Sequence, residues 1–277
     1  MKLKQQAPGV GPTEELNLRV SVGVLVSVLF NNPVKGKTML ALERTATLRT
    51  DENKSLLVVK AKPFGGGVRL LKPQDLTKLI GEFHYDSERS REQGDFRIQI
   101  NPEYWNIVKE VCKEHLIDKE KGILDPSPVR ELTEEFEDSL NISITPDDYY
   151  LQSKGMIVED VLSNTNNVNA KGRPTVRTYY IFDAIMKNQE IINMMIDNSN
   201  RYSNIDLQRK ASEDVRRGGK GRANAILIVF LDELKDFYSS IPIENRSGTK
   251  LYKGHELDGN VPAILDDIRI ARYQRYD

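Results

Sequence analysis

The chain has 277 residues, 29% charged and 39% hydrophobic, with a net charge of −1. That is enough apolar material for a folded core and excludes bulk disorder, while the near-neutral balance provides no global field to recruit nucleic acid or an anionic membrane. The apolar runs Val20–Phe30 and Ile226–Leu231 are too short to cross a bilayer, and Met1-Lys2-Leu3-Lys4 is not followed by the apolar stretch of a secretory signal. Cys112 stands alone, which excludes an intrachain disulfide and a multi-cysteine zinc site. The expectation is a cytoplasmic protein.

Residues 5–15, punctuated by Pro and Gly, read as a loose arm. Val20, Val22, Val24, Val26 and Val28 alternate with Ser21, Gly23 and Ser27, and Leu25 and Leu29 fill the second face, predicting a strand buried on both sides. Strands follow over Thr38–Arg44 and Leu56–Ala61, separated by the turn Thr50-Asp51-Glu52-Asn53-Lys54. Phe96, Ile98 and Ile100 alternate as a short half-exposed strand, and Pro102–His115 reads as a helix capped by Asn101. Asp125-Pro126-Ser127-Pro128 opens a helix whose stripe is Val129, Leu132, Phe136 and Leu140. Beyond it, strands are expected over Met156–Val161 and Val176–Phe182, a loop over Asn164–Arg173, and helices over Asn188–Asp197 and Leu231–Ser240. This order predicts an α/β or α+β layer arrangement without strict βαβ alternation and without internal repeats.

The chemistry concentrates in Arg130-Glu131-Leu132-Thr133-Glu134-Glu135. Five carboxylates follow Arg130 by Asp138, and Glu131, Glu134 and Glu135 share the side opposite the apolar stripe. Like charges at helical spacing repel by a few tenths of a kcal/mol per pair, and a hard divalent cation relieves that repulsion. A solvated acidic face gives the same pattern, and is its more frequent meaning for an acid pair alone.

The string Arg-Glu-apolar-x-Glu-Glu resembles the second half of the Nudix box, Gly-x5-Glu-x7-Arg-Glu-U-x-Glu-Glu-x-Gly-U, with U a bulky aliphatic residue. Pro63-Phe64-Gly65-Gly66-Gly67-Val68, at the end of a strand, resembles the glycine turn that opens this box. The resemblance implies a Nudix-like α/β/α sandwich with a mixed sheet over residues 18–200, and an extension, 201–277, packed on the same domain. It implies Mg²⁺-dependent (or Mn²⁺-dependent) cleavage of a diphosphate linkage in a nucleoside diphosphate derivative, and a possible homodimer. Carried over by motif position, Gly65 and Gly66 would offer a backbone carbonyl to the metal, Arg130 would orient the glutamates, Glu131 would serve as metal ligand or base, and Glu134 and Glu135 would bind the metal.

This chain departs from the pattern in three places. Sixty-three residues lie between Gly66 and Arg130, where the family has about thirteen, so residues of roughly 70–125 form an insertion. The first box glutamate is absent, with Lys72 or Gly122 in its place by either count, and Glu137 replaces the glycine after the glutamate pair. These losses favour an alternative reading, a Nudix-fold nucleotide-binding sensor without full activity; an interaction protein whose acidic helix is merely solvated is the third.

Other features are weaker. Arg216-Arg217-Gly218-Gly219-Lys220-Gly221-Arg222 can cradle phosphate through backbone N–H groups and cations, but it lacks the Gly-Lys-Ser/Thr ending of a P-loop and reads more readily as a linker. Tyr149-Tyr150 and Tyr179-Tyr180 can stack on a base, with one of each pair packed in the core. His84, His115 and His255 are dispersed, against a histidine metal site. Asp183 or Glu190 would supply a distal carboxylate to the metal.

Overall fold

The computed structural model describes residues 18–32, 35–51, 54–117, 122–163 and 173–276. The expected arm at 5–15 lies outside these residues, as do most of the Asn164–Arg173 loop and the tip of the turn at 52–53. Thirteen strands and seven α-helices follow in chain order: β1 (Leu18–Asn31), β2 (Thr38–Asp51), β3 (Lys54–Lys62), β4 (Arg69–Leu70), α1 (Pro73–Ile80), β5 (His84–Tyr85), α2 (Glu88–Gln93), β6 (Arg97–Ile100), α3 (Trp105–Ile117), β7 (Leu124–Asp125), α4 (Pro128–Glu134), β8 (Tyr149–Ser163), β9 (Thr175–Met186), α5 (Gln189–Arg201), α6 (Asn204–Arg216), β10 (Arg222–Phe230), α7 (Leu231–Ser239), β11 (Lys250–Tyr252), β12 (His255–Leu257) and β13 (Tyr273–Tyr276). The protein is a mixed α/β protein built on a large, strongly curled, mixed sheet of eleven strands, with β4 and β7 forming a separate two-stranded ladder. None of the described helices is long and apolar enough to cross a membrane.

β1 organises this sheet because valines fill one of its faces and leucines part of the other. Val20, Val22, Val24, Val26 and Val28 are fully buried in the larger core, among Phe64, Leu76, Phe96, Ile98, Trp105, Leu132 and Phe136. Leu25 enters a second core with Leu40, Leu42, Ile181, Leu234, Tyr238 and Ile264. A strand covered on both faces has no alternating polar side. Along one edge β1 pairs in parallel with β9, from Arg19 against Thr175 to Leu29 against Ile185. Its other edge is shared: β6 takes Leu18–Ser21, and β2 takes Val28–Asn31. The gap between them receives the glycine run, described below.

Two expected boundaries differ most. β8 begins at Tyr149 rather than Met156, because Tyr149–Ser153 pairs with Phe182–Met186 before a register shift; Gly155, in the left-handed region at φ 88°, lies at that bulge and interrupts the alternation. β2 runs past Arg44 to Asp51, since its polar second half pairs with β3 residue for residue. The residues beyond 200 extend the sheet: β10 pairs with β2 over Arg222–Phe230, β12 with β3, and β13 with β8.

The segment between the glycine run and α4 is closed at its neck by the β4–β7 ladder, Arg69 opposite Asp125 and Leu70 opposite Leu124. It returns a strand to the main sheet as β6, and a buried ion pair fastens it there. Arg19 of β1 donates to Asp86 through Nε at 2.8 Å and Nη2 at 2.6 Å, and the Ser87 and Ser90 hydroxyls donate to the same carboxylate. Removing one partner of such a pair strands a buried charge. Asp86→Ala is therefore expected to cost roughly 3–5 kcal/mol in urea unfolding; an unchanged midpoint would show that the pair does not hold this segment to β1.

Candidate functional site

The glycine run lies on β1's open edge. Val26 N–H donates to the Phe64 carbonyl at 2.8 Å, Val24 N–H to the Gly66 carbonyl at 2.9 Å, and Val68 N–H to the Val22 carbonyl at 3.1 Å. Gly65 has φ 134°, which side chains rarely adopt, and a Cβ there would lie 2.0 Å from the Val24 carbonyl oxygen. The bend therefore requires glycine at that position.

α4 comes down onto this bare backbone. Ser127 caps it, accepting from the Arg130 N–H at 3.2 Å, and Pro128 occupies its first turn. Leu132 and Phe136 enter the larger core, and the Phe136 ring meets that of Phe64 with centroids 5.0 Å apart. Phe64 directly precedes the glycines, so this contact fixes the acidic face against them. The helix then widens into a π-helical turn over Glu135–Ser139, a device that commonly displaces side chains at functional sites.

The structure brings the carried-over residues to one cleft of about 1140 Å³, lined by Gly65, Gly66, Gly67, Arg130, Glu131, Glu134 and Glu135. Glu131 is buried, and a Cβ on Gly66 would sit 1.8 Å from its Oε2. Arg130 pairs with Glu131 Oε1 at 2.6 Å and Glu134 Oε1 at 3.6 Å, and donates to the Gly67 carbonyl at 3.0 Å. Glu135 turns away from that trio. It accepts from the Gly65 N–H at 2.8 Å and from Lys62 Nζ at 3.2 Å, and Lys62 also pairs with Glu43 at 2.6 Å. The acids are thus divided between two cations, and among the described residues no set of three or more His, Cys, Asp or Glu is spaced to hold a metal. Of the two glycines expected to offer a carbonyl, Gly66 accepts from Val24 N–H, and the neighbouring Gly67 carbonyl accepts from Arg130.

Burial raises the Glu131 carboxyl above the ordinary glutamate range; Arg130 opposes the shift, while Glu134 and Asp95 add to it. Burial also raises Glu135, opposed by Lys62 and reinforced by Glu43, because one ammonium serves two enclosed carboxylates.

Asp95 is the site residue that the sequence reading missed. It is buried just before β6, and a Cβ on Gly67 would lie 2.5 Å from its Oδ1. The segment between the glycine run and α4 therefore delivers a carboxylate close to Glu131. Neither expected distal acid lines this cleft: Asp183 lies 3.8 Å from Lys154, and Glu190 is in the first turn of α5. The tyrosines do not line it either. Tyr149 and Tyr180 are buried, the latter donating to the Cys112 carbonyl; Tyr179 packs against the second core; and Tyr150 is exposed elsewhere. The three histidines also lie outside the cleft lining.

The basic run Arg216–Arg222 forms the turn from α6 into β10, and its backbone does not cradle an anion. Gly221 and Arg222 N–H donate to Asp214 Oδ2 at 2.8 and 3.3 Å, Gly219 N–H to the Asp214 carbonyl, and Gly218 N–H to that of Val215. Its side chains nonetheless reach the cleft at Arg217, Lys220 and Arg222.

Comparison of the chain with protein-family models, curated proteins and solved structures gives no match.

Two outcomes are expected. Gly66→Ala lowers stability by roughly 1–3 kcal/mol through overpacking, and much of that loss disappears in a Glu131→Ala background, where the obstructing carboxylate is gone; additive effects would mean the two do not touch. The raised Glu135 value means that its neutral form contributes stability below the ordinary glutamate range, lost as pH rises through the raised folded value. In metal-free buffer, Glu135→Gln should therefore gain melting temperature relative to the parent as pH climbs from 5 to 8.5 (chosen conditions spanning roughly that window). A constant difference would refute the shift.

Proposed function

We propose that the protein is a Nudix-like hydrolase that cleaves the diphosphate linkage of a nucleoside diphosphate derivative with the help of Mg²⁺ or Mn²⁺. The observation that carries this reading is the contact of the Glu131 carboxylate with the side-chain-free backbone of Gly66, across sixty-three intervening residues. Helices on both faces of a mixed sheet agree with the α/β/α arrangement that the resemblance implies.

Glu131, Glu134 and Glu135 supply the oxygen donors that a hard cation takes, although as they stand they are not spaced to hold one. These residues would hold it, with Lys62 and Arg130 yielding some of their present pairing. Bound there, a divalent ion would polarise a phosphoryl oxygen and make water a better nucleophile. The chain's own groups have separable tasks. Arg130 fixes Glu131 and Glu134 by charged contacts while tethered to the Gly67 carbonyl. Glu131, with its raised affinity for protons, suits proton acceptance from an attacking water. Asp95, from outside the motif, adds a further acid to the cleft and adds to the upward shift of Glu131.

The division of the acids between Arg130 and Lys62 favours a second reading, a nucleotide-binding sensor in which these pairs persist. Incubation with ADP-ribose, dinucleoside polyphosphates, NADH and nucleoside triphosphates, with Mg²⁺ or Mn²⁺, separates the two. Hydrolysis is expected, with Glu131→Gln or Glu134→Gln lowering kcat roughly 10²–10⁴-fold. Binding without turnover would replace the hydrolase by the sensor, and neither binding nor turnover would sink both.

A further inference from the structure

The cleft extends well beyond the acidic helix. Among the described residues, nine basic side chains line it against six carboxylates, and no aromatic side chain does. Its volume of about 1140 Å³ lies just above the roughly 300–1,000 Å³ typical of small-molecule sites, so a single diphosphate at α4 would leave much of it unfilled. The acids at α4 already have their cations in Arg130 and Lys62. By contrast, the side chains of Arg217, Lys220 and Arg222 make no ion pair or hydrogen bond among the described residues.

These three cations stand on a braced support. Asp214 takes up the backbone N–H groups of Gly221 and Arg222, and its own carbonyl takes that of Gly219. Asp214's carboxylate is thereby occupied in shaping the turn. A turn held from within and presenting uncompensated cations to a concave surface is arranged to receive an anion through its side chains. Nearby, Lys210 lies 3.8 Å over the Tyr202 ring and also faces the cleft.

We infer that the turn between α6 and β10 is a second phosphate subsite, and that the cleft takes a compact oligophosphate whose chain continues from the acidic helix to Arg217, Lys220 and Arg222. Recognition is by charge and phosphate number. No ring in the lining stacks on a base, so a nucleoside end contributes little. This deepens the hydrolase reading and rests on it for which bond is broken, whereas the binding itself needs no turnover.

Calorimetric titration in EDTA with orthophosphate, pyrophosphate, tripolyphosphate and tetraphosphate tests the subsite apart from hydrolysis. Affinity should rise at least about tenfold from pyrophosphate to tetraphosphate and weaken as salt is raised. The triple variant Arg217→Ala, Lys220→Ala, Arg222→Ala, altered only at exposed positions, should lose roughly that gain and most of its pyrophosphate binding with it, because without metal the acidic helix repels phosphate. Adenosine tetraphosphate should bind within about tenfold of tetraphosphate itself. Affinity independent of chain length, an unaffected triple variant, or a nucleoside contribution above that limit overturns the subsite. Absence of metal-dependent turnover would count against the hydrolase and leave this result standing.

Discussion

The site depends on a stretch of backbone left without side chains. β1 offers one edge to three different segments, and the middle one, Phe64–Gly67, must lie close to β1 below while admitting acids above. A methyl group at 65 would strike the Val24 carbonyl, one at 66 the Glu131 carboxylate, and one at 67 Asp95. The contact of the Phe64 and Phe136 rings makes this closeness a property of the core, so apolar packing as well as the Arg130 and Glu135 contacts positions the acidic helix.

Charge is then distributed unevenly over the cleft. At one end, Glu131 and Glu135 are enclosed beside Arg130 and Lys62, and burial drives their proton affinity upward. At the other, basic side chains on the α6–β10 turn have no anions of their own. An extended anion lying across this gradient meets cations where it needs them, while the end facing the glutamates requires either protons or an added positive charge. The separation of the two ends into different chain segments lets each keep its own polarity.

Much of this frame was legible in the residues. The valine alternation of β1 gives both its strand and its two-sided burial, and Leu132, Phe136 and Leu140 give the buried stripe of α4. The juxtaposition of the glycines with Glu131 followed only from the likeness to a motif, because no local pattern spans sixty-three residues. α6 escaped notice because only Leu207 and Ala211 of it are buried, although the reciprocal cap of Ser203 and Asp206 marks its start. Asp95 escaped for a different reason: an acid after a glycine at a strand's beginning is ordinary, and its meaning comes from the neighbours that folding supplies. The two tyrosine pairs looked capable of stacking on a base, but sheet pairing and packing placed them away from the cleft.

The ladder of β4 with β7 makes the long excursion between the two halves of the site anything but ornamental. By pinching the excursion shut at its root, it returns the chain to within reach of its point of departure, and the loop so made donates both a strand and an acid before it closes. A shortened descendant lacking this loop would not be a leaner version of the same protein. It would expose the lower flank of β1, uncover the valines beneath and forfeit one wall of the cavity, so the excursion is as much a part of the cleft as the acidic helix.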